Sequence, residues 1–171
     1  MHAKTDAQLR DECLVFYRED VQKIDEVLGE FLEVSGAKCA LLIDKEGHMV
    51  TRKGNTSTLD LDTVSALVAG SFAATKEMAR LLGETEFSVL FHQGKRDHIQ
   101  LTLVGDTTLL TVIFDDQTTL GMVRLYATDA AKQLEDIFCR RKQSGDSAGE
   151  TTIHADFSAD AQGRLDDVFG S

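Results

Sequence analysis

Several apolar runs in this chain are joined by links too short to do anything but turn back. Lys38–Asp44 meets His48–Lys53 across Lys45-Glu46-Gly47. Ser88–Gln93, His98–Val104 and Leu109–Phe114 are punctuated by Gly94-Lys95-Arg96-Asp97 and Gly105-Asp106-Thr107. Such links close hairpins, whereas a parallel crossover needs a dozen or more residues. The runs therefore predict five antiparallel strands and exclude a parallel sheet. Lys38–Asp44 and Thr111-Val112-Ile113-Phe114 are apolar on both faces, which places those strands mid-sheet.

Between and around the strands the period changes from two to three and four. From about Asp6 to Val34, Leu9, Cys13, Phe16, Val21, Ile24, Leu28 and Phe31 trace one face of a long helix that stops at Ser35-Gly36. A second helix runs from about Asp62 to Leu82, capped by Asp62 or Asp60 and ended by Gly83. A third begins near Leu120 and ends in Arg140, Arg141 and Lys142, whose charges complement the helix dipole. The order α-β-β-α-β-β-β-α predicts an α+β sandwich: a five-stranded antiparallel sheet flanked by helices on both faces.

The second helix has an unusual composition. Val64, Leu67, Val68, Ser71, Phe72, Thr75, Met78 and Leu82 form the stripe expected to face the core. The opposite side holds Ala66, Ala69, Gly70, Ala73, Ala74 and Glu77, with Arg80 following one turn later. A solvated helix face normally carries Lys and Glu. This bare side is either covered within its own fold or is a contact surface that lets another backbone approach closely.

Composition removes several function classes. With 18 Lys+Arg against 29 Asp+Glu, a net charge of −11 opposes binding to nucleic acid or anionic lipid by charge. No apolar run approaches the roughly 20 residues that span a bilayer, and a soluble, cytosolic protein is expected. The absence of proline rules out PxxP ligands. Cys13, Cys39 and Cys139 are too scattered for a disulfide framework or a zinc knuckle. His92 and His98, six apart in neighbouring strands, are the nearest approach to a metal pair on one face, and no third ligand lies near. Gly94-Lys95-Arg96 lacks the spacing of a phosphate loop, and Asp44-Lys45-Glu46-Gly47 lacks that of a calcium loop. No catalytic centre, metal or cofactor is called for.

The domain is expected to span residues 1–141, followed by a tail over 142–171. The tail opens on a Ser/Gly/Asp-rich linker and holds six acidic residues against Lys142 and Arg164. Near its end Phe157 precedes Leu165, Val168 and Phe169, which sit at i, i+3 and i+4. It is either a disordered tail or a linear motif that folds against a partner groove.

Several segments carry a family resemblance: Gly36-Ala37-Lys38 running into Leu42-Ile43-Asp44-Lys45-Glu46-Gly47, Ala69-Gly70 with Ala73-Ala74, and Leu82-Gly83-Glu84. Phe91-His92-Gln93-Gly94, Val112-Ile113-Phe114-Asp115 and Thr119-Leu120-Gly121-Met122-Val123-Arg124-Leu125 complete the set. In this order they resemble the Roadblock/dynein-light-chain superfamily, and within it the bacterial MglB group, which partners MglA-type Ras-like GTPases. The resemblance covers roughly Phe16 to Phe138, and Leu165-Asp166-Asp167-Val168-Phe169 resembles the tail motif of some MglB proteins. It implies a homodimer joined through edge strands and side-by-side second helices, and a regulator that binds an MglA-like GTPase through that helix pair. It further implies stimulation of GTP hydrolysis by repositioning the GTPase's own residues, with no arginine inserted from Arg80 or Arg96. The implied setting is cytoplasmic, at a cell pole, in control of polarity and motility. The alternative is a Roadblock scaffold without activating power.

Overall fold

The computed structural model describes residues 18–141 and 143. The expected helix start at Asp6 and the tail candidates Phe157, Leu165, Val168 and Phe169 lie outside the described residues. The first helix, α1 (Arg18–Ser35), buries Ile24, Leu28 and Phe31. It ends where the Gly36 N–H donates to the Leu32 carbonyl at 3.1 Å.

The strands are β1 (Cys39–Asp44), β2 (Met49–Gly54), β3 (Val89–Gln93), β4 (His98–Val104) and β5 (Thr108–Phe114). The second helix, α2 (Leu61–Leu81), lies between β2 and β3 in the chain, and α3 starts at residue 120. Chain contacts divide the molecule after Glu135. The described part of the second unit, 136–141 and 143, is helical.

All five strands form one sheet in the order β2-β1-β5-β4-β3, and every neighbouring pair is antiparallel. The position of β5 explains its composition. It is paired on both sides, and every residue from Thr108 to Phe114 is buried. The five-stranded α+β architecture predicted from the short links is therefore the one observed.

Register assigns the faces. Leu41, Ile43, Leu101 and Leu109 lie on one side and pack with Val68 and Phe72 of α2. Thr51, opposite Leu42, points to the other side, where its hydroxyl donates to the Asp25 carboxylate of α1 at 2.8 Å. Helices thus cover both faces. In α3, Val123, Ala127, Ala130 and Leu134 are buried at steps of three and four.

Register also corrects the histidine pair. His92 is opposite Ile99, so it shares a face with Ile99 and not with His98. An even separation shares a face only along one strand, and the hairpin turn intervenes. His98 instead lies tilted against Phe91 and Phe114, at centroid distances of 6.0 and 5.3 Å.

At that end of the sheet, Lys38 Nζ lies 2.6 Å from Asp97 and 3.1 Å from Asp115, tying the β3–β4 turn to the exit of β5. The Asp115 carboxylate is held below the usual range, first by the Gln117 N–H and then by Lys38. Its folded pKa is depressed, so its stabilisation is present above the unfolded carboxylate pKa and is lost as pH falls through the folded value. Asp115→Asn is expected to flatten the acid limb of a stability–pH profile followed by urea unfolding. An unchanged limb contradicts the assignment.

Candidate functional site: the outward face of α2

Asp60 caps α2. Its carboxylate accepts the Thr63 N–H at 3.3 Å and the Thr63 hydroxyl at 2.7 Å. These bonds, the hydroxyl first, hold Asp60 below its ordinary pKa. Asp62, the other expected cap, falls in the first turn, where a negative charge suits the dipole.

The inward side is set by the hairpin turn between β1 and β2. The Asp44 N–H donates to the His48 carbonyl at 2.9 Å, and Gly47 adopts φ +97°. A Cβ on Gly47 would lie 3.3 Å from the Cα of Ala66 and 3.6 Å from the Cβ of Ala69. Only a residue without a side chain in the turn, facing small residues on the helix, permits this approach. Beside it, Lys45 Nζ lies 5.5 Å from the Phe72 ring centroid and 3.2 Å from Glu86.

This contact corrects two expectations. Ala69, expected on the bare side, is only 6% exposed; its small size serves its own chain's turn. Conversely, Leu67 (68% exposed), Met78 (53%) and Leu82 (73%), expected in the core, face outward. Apolar residues occupy well over half the helix circumference, so periodicity alone gives a diffuse inward direction. Leu81, which the stripe omitted, is the barest of all at 87%.

The other predicted residues do face outward. Ala66, Gly70, Ala73, Ala74, Glu77 and Arg80 are all exposed, while Ser71 beside Gly70 is half-buried. A Cβ at Gly70 would meet nothing within 4 Å, so the fold itself does not require glycine there. A mid-helix glycine costs about 1 kcal/mol relative to alanine. At about 100° per residue, the outward face has two parts. Leu67, Ala74, Met78 and Leu82 line one flank, and Ala66, Ala73, Glu77 and Arg80 the other. Arg80 Nη1 pairs with Glu77 at 3.0 Å, an exposed i,i+3 contact. Nothing in this arrangement supplies a nucleophile or a proton relay; what it offers is surface.

Two other groups of reactive side chains lie elsewhere. Asp44, Glu46 and His48 bring ligand atoms within 4.8 Å of one another. One Asp44 oxygen, however, accepts the N–H groups of Glu46 and His48 at 2.9 and 2.8 Å, which closes the turn. The Cys39 thiol is buried, and burial pushes its pKa up, away from the nucleophilic thiolate.

The Roadblock/LC7 domain pattern matches residues 23–114, more than half of the chain and the whole of β1 through β5 with α2. The chain belongs to the Roadblock/LC7 domain family. Among solved structures, Myxococcus xanthus MglB is 39% identical, covering 68% of this chain and 94% of that one with a TM-score of 0.66. The gliding protein MglB from Thermus thermophilus is 38% identical over 74% of this chain and 96% of its own, with a TM-score of 0.70. An MglB with a tetrameric arrangement gives the same identity and coverage and a TM-score of 0.71. Within the Roadblock/LC7 fold, then, the chain strongly resembles MglB.

The corrected boundary of the outward face is testable without a partner. Ala69→Leu forces a side chain into the Gly47 contact and is expected to destabilise the fold by about 1–3 kcal/mol. Ala73→Leu, on the exposed flank, is expected to stay within about 0.5 kcal/mol of the parent in urea unfolding. Equal losses would mean that the helix is rotated from the orientation described.

Proposed function

We propose that the chain is a self-associating regulator that binds an MglA-like small GTPase through the outward face of α2 and accelerates its GTP hydrolysis. The observation that carries this reading is the exposed face of small and apolar residues on α2, in a chain alike to MglB along most of its length. The proposed self-association uses α2 and the sheet edge at β3, which among the described residues pairs only with β4.

The proposed activation moves the GTPase's own residues into place. An arginine supplied in trans is the usual stabiliser of the charge that develops in phosphoryl transfer. Arg80 is held against Glu77, and Arg96 lies in the β3–β4 turn, on a different element from the proposed contact. The chain therefore acts as a regulator, the chemistry residing in its partner. The proposed setting is the cytoplasm, at a cell pole, in control of polarity and motility. No helix among the described residues is long and apolar enough to cross a membrane. The tail's Phe157, Leu165, Val168 and Phe169 form a proposed second contact on the same GTPase. A scaffold that binds without activating is the alternative within the family.

The test is GTP turnover by an MglA-type GTPase titrated with this protein. Stimulation by at least tenfold is expected. Binding without stimulation would favour the scaffold, and neither would overturn the reading. In the same assay Ala73→Arg is expected to abolish binding while self-association persists, because a long charged side chain cannot be buried unpaired in a close helix contact. Removal of residues 153–171 is expected to weaken binding or alter turnover.

A further inference from the structure

β2 forms the edge of the sheet remote from β3, and among the described residues it pairs only with β1. The ladder shows which of its backbone groups are open. The Asn55 N–H donates to the Lys38 carbonyl at 3.1 Å, and hydrogen-bonded positions alternate along an antiparallel pair. Lys53 and Thr51 fall in phase with Asn55 and turn to β1. Arg52 and Gly54 therefore turn their N–H and C=O groups to the open edge. A bulge opposite Leu42 and Ile43 leaves Val50 without a partner, so the regular edge begins at Thr51.

This strand is held firmly from behind. The Thr51 hydroxyl donates to the Asp25 carboxylate of α1 at 2.8 Å. A Cβ on Gly29 of α1 would lie 3.6 Å from Cε of Lys53, so the lysine stem runs alongside the helix. An edge fixed in this way loses little freedom when another strand is added to it.

Its side chains set a charge pattern. Arg52, opposite Leu41, stands on the α2 side of the sheet, and Lys53, opposite Ala40, on the α1 side. Both are exposed. Lys38, Lys45, Lys76 and Arg80 each have a carboxylate 3.9 Å away or closer. In a chain with 29 Asp+Glu, Arg52 and Lys53 form no such pair among the described residues. Cations on an edge strand guard it against a like edge. A second copy added antiparallel would set Arg52 against Arg52 or Lys53 against Lys53, which like-charge repulsion opposes. The same two charges favour a strand of opposite sign.

We propose that the β2 edge binds an extended segment of a partner protein that carries two adjacent acidic residues, added to the sheet as a further strand. Arg52 and Gly54 supply the main-chain hydrogen bonds of such an addition. Successive residues of a strand point to opposite faces, so adjacent carboxylates meet Arg52 on one face and Lys53 on the other. The net charge of −11 disfavours acidic segments over the rest of the surface, which confines the contact to this edge. The site lies apart from the outward face of α2 and does not depend on the GTPase reading.

The probe is a capped peptide of about eight residues, with two adjacent glutamates among threonines and valines. It is titrated into the isotope-labelled full chain, and the amide signals of Arg52 and Gly54 are followed by NMR. Those signals should shift, and the peptide should bind about tenfold more tightly than a counterpart with two lysines. N-methylation at alternate positions of the peptide should abolish binding. The double variant Arg52→Glu, Lys53→Glu, with its fold checked by a thermal melt, should reverse the preference and bind the lysine peptide. Its self-association in sedimentation should match the parent's. Unmoved Arg52 and Gly54 signals, or equal affinity for the two peptides, would overturn the proposal. So would loss of self-association in the double variant, since the edge would then belong to a second copy.

Discussion

The approach of the β1–β2 turn to α2 decides what this molecule shows to its surroundings. Gly47, at φ +97°, lies against Ala66 and Ala69 so closely that a Cβ on it would sit 3.3 Å from the Cα of Ala66, which ties the turn to one side of the helix. With that side turned inward, Val68 and Phe72 enter the cluster with Leu41, Ile43, Leu101 and Leu109. Leu67, Met78 and Leu81 are left outside as a consequence. Burying a side chain of that size is worth about 1.5–3 kcal/mol, so leaving three of them bare is a substantial unused driving force. The proposed partner surfaces draw on it.

The sheet supplies rigidity behind that face. β5 is buried along its whole length and paired along both edges, while β3, among the described residues, is paired on one side, with β4. Phe91 on β3 stacks near Phe114 at 6.1 Å, and Lys38 clasps the β3–β4 turn through Asp97. The edge strand is thus kept in place by contacts at its end, and its outer edge has no strand beside it among the described residues. An open strand edge invites pairing with another chain, which agrees with a role in self-association.

Much of the fold was legible because turn length and apolar continuity are local properties. Gly105-Asp106-Thr107 forces a reversal wherever the rest of the chain lies, and β4 runs over His98–Val104 as expected. The burial of Thr111 to Phe114 likewise follows from an apolar run. The candidate site was only partly legible. Gly70 and Ala73 are outward as expected, but the roles of Ala69 and Met78 are reversed. Both depend on which flank of α2 the β1–β2 turn takes, and that is a long-range contact with no signature in the local period. The split of His92 from His98 has the same origin, since register across a turn cannot be read from spacing alone.

The function proposed for this protein requires that the outward face of α2 be a protein interface rather than a solvated surface. In the isolated fold Met78 is 53% exposed and Met122 is 41% exposed, so accessibility alone orders their oxidation with Met78 first. Peroxide oxidation of the full chain, followed by peptide mass analysis, reads both residues in one sample. An occupied face gives the inverse order, with Met78 protected and its protection lost on dilution. Oxidation of Met78 ahead of Met122 at every protein concentration would contradict it.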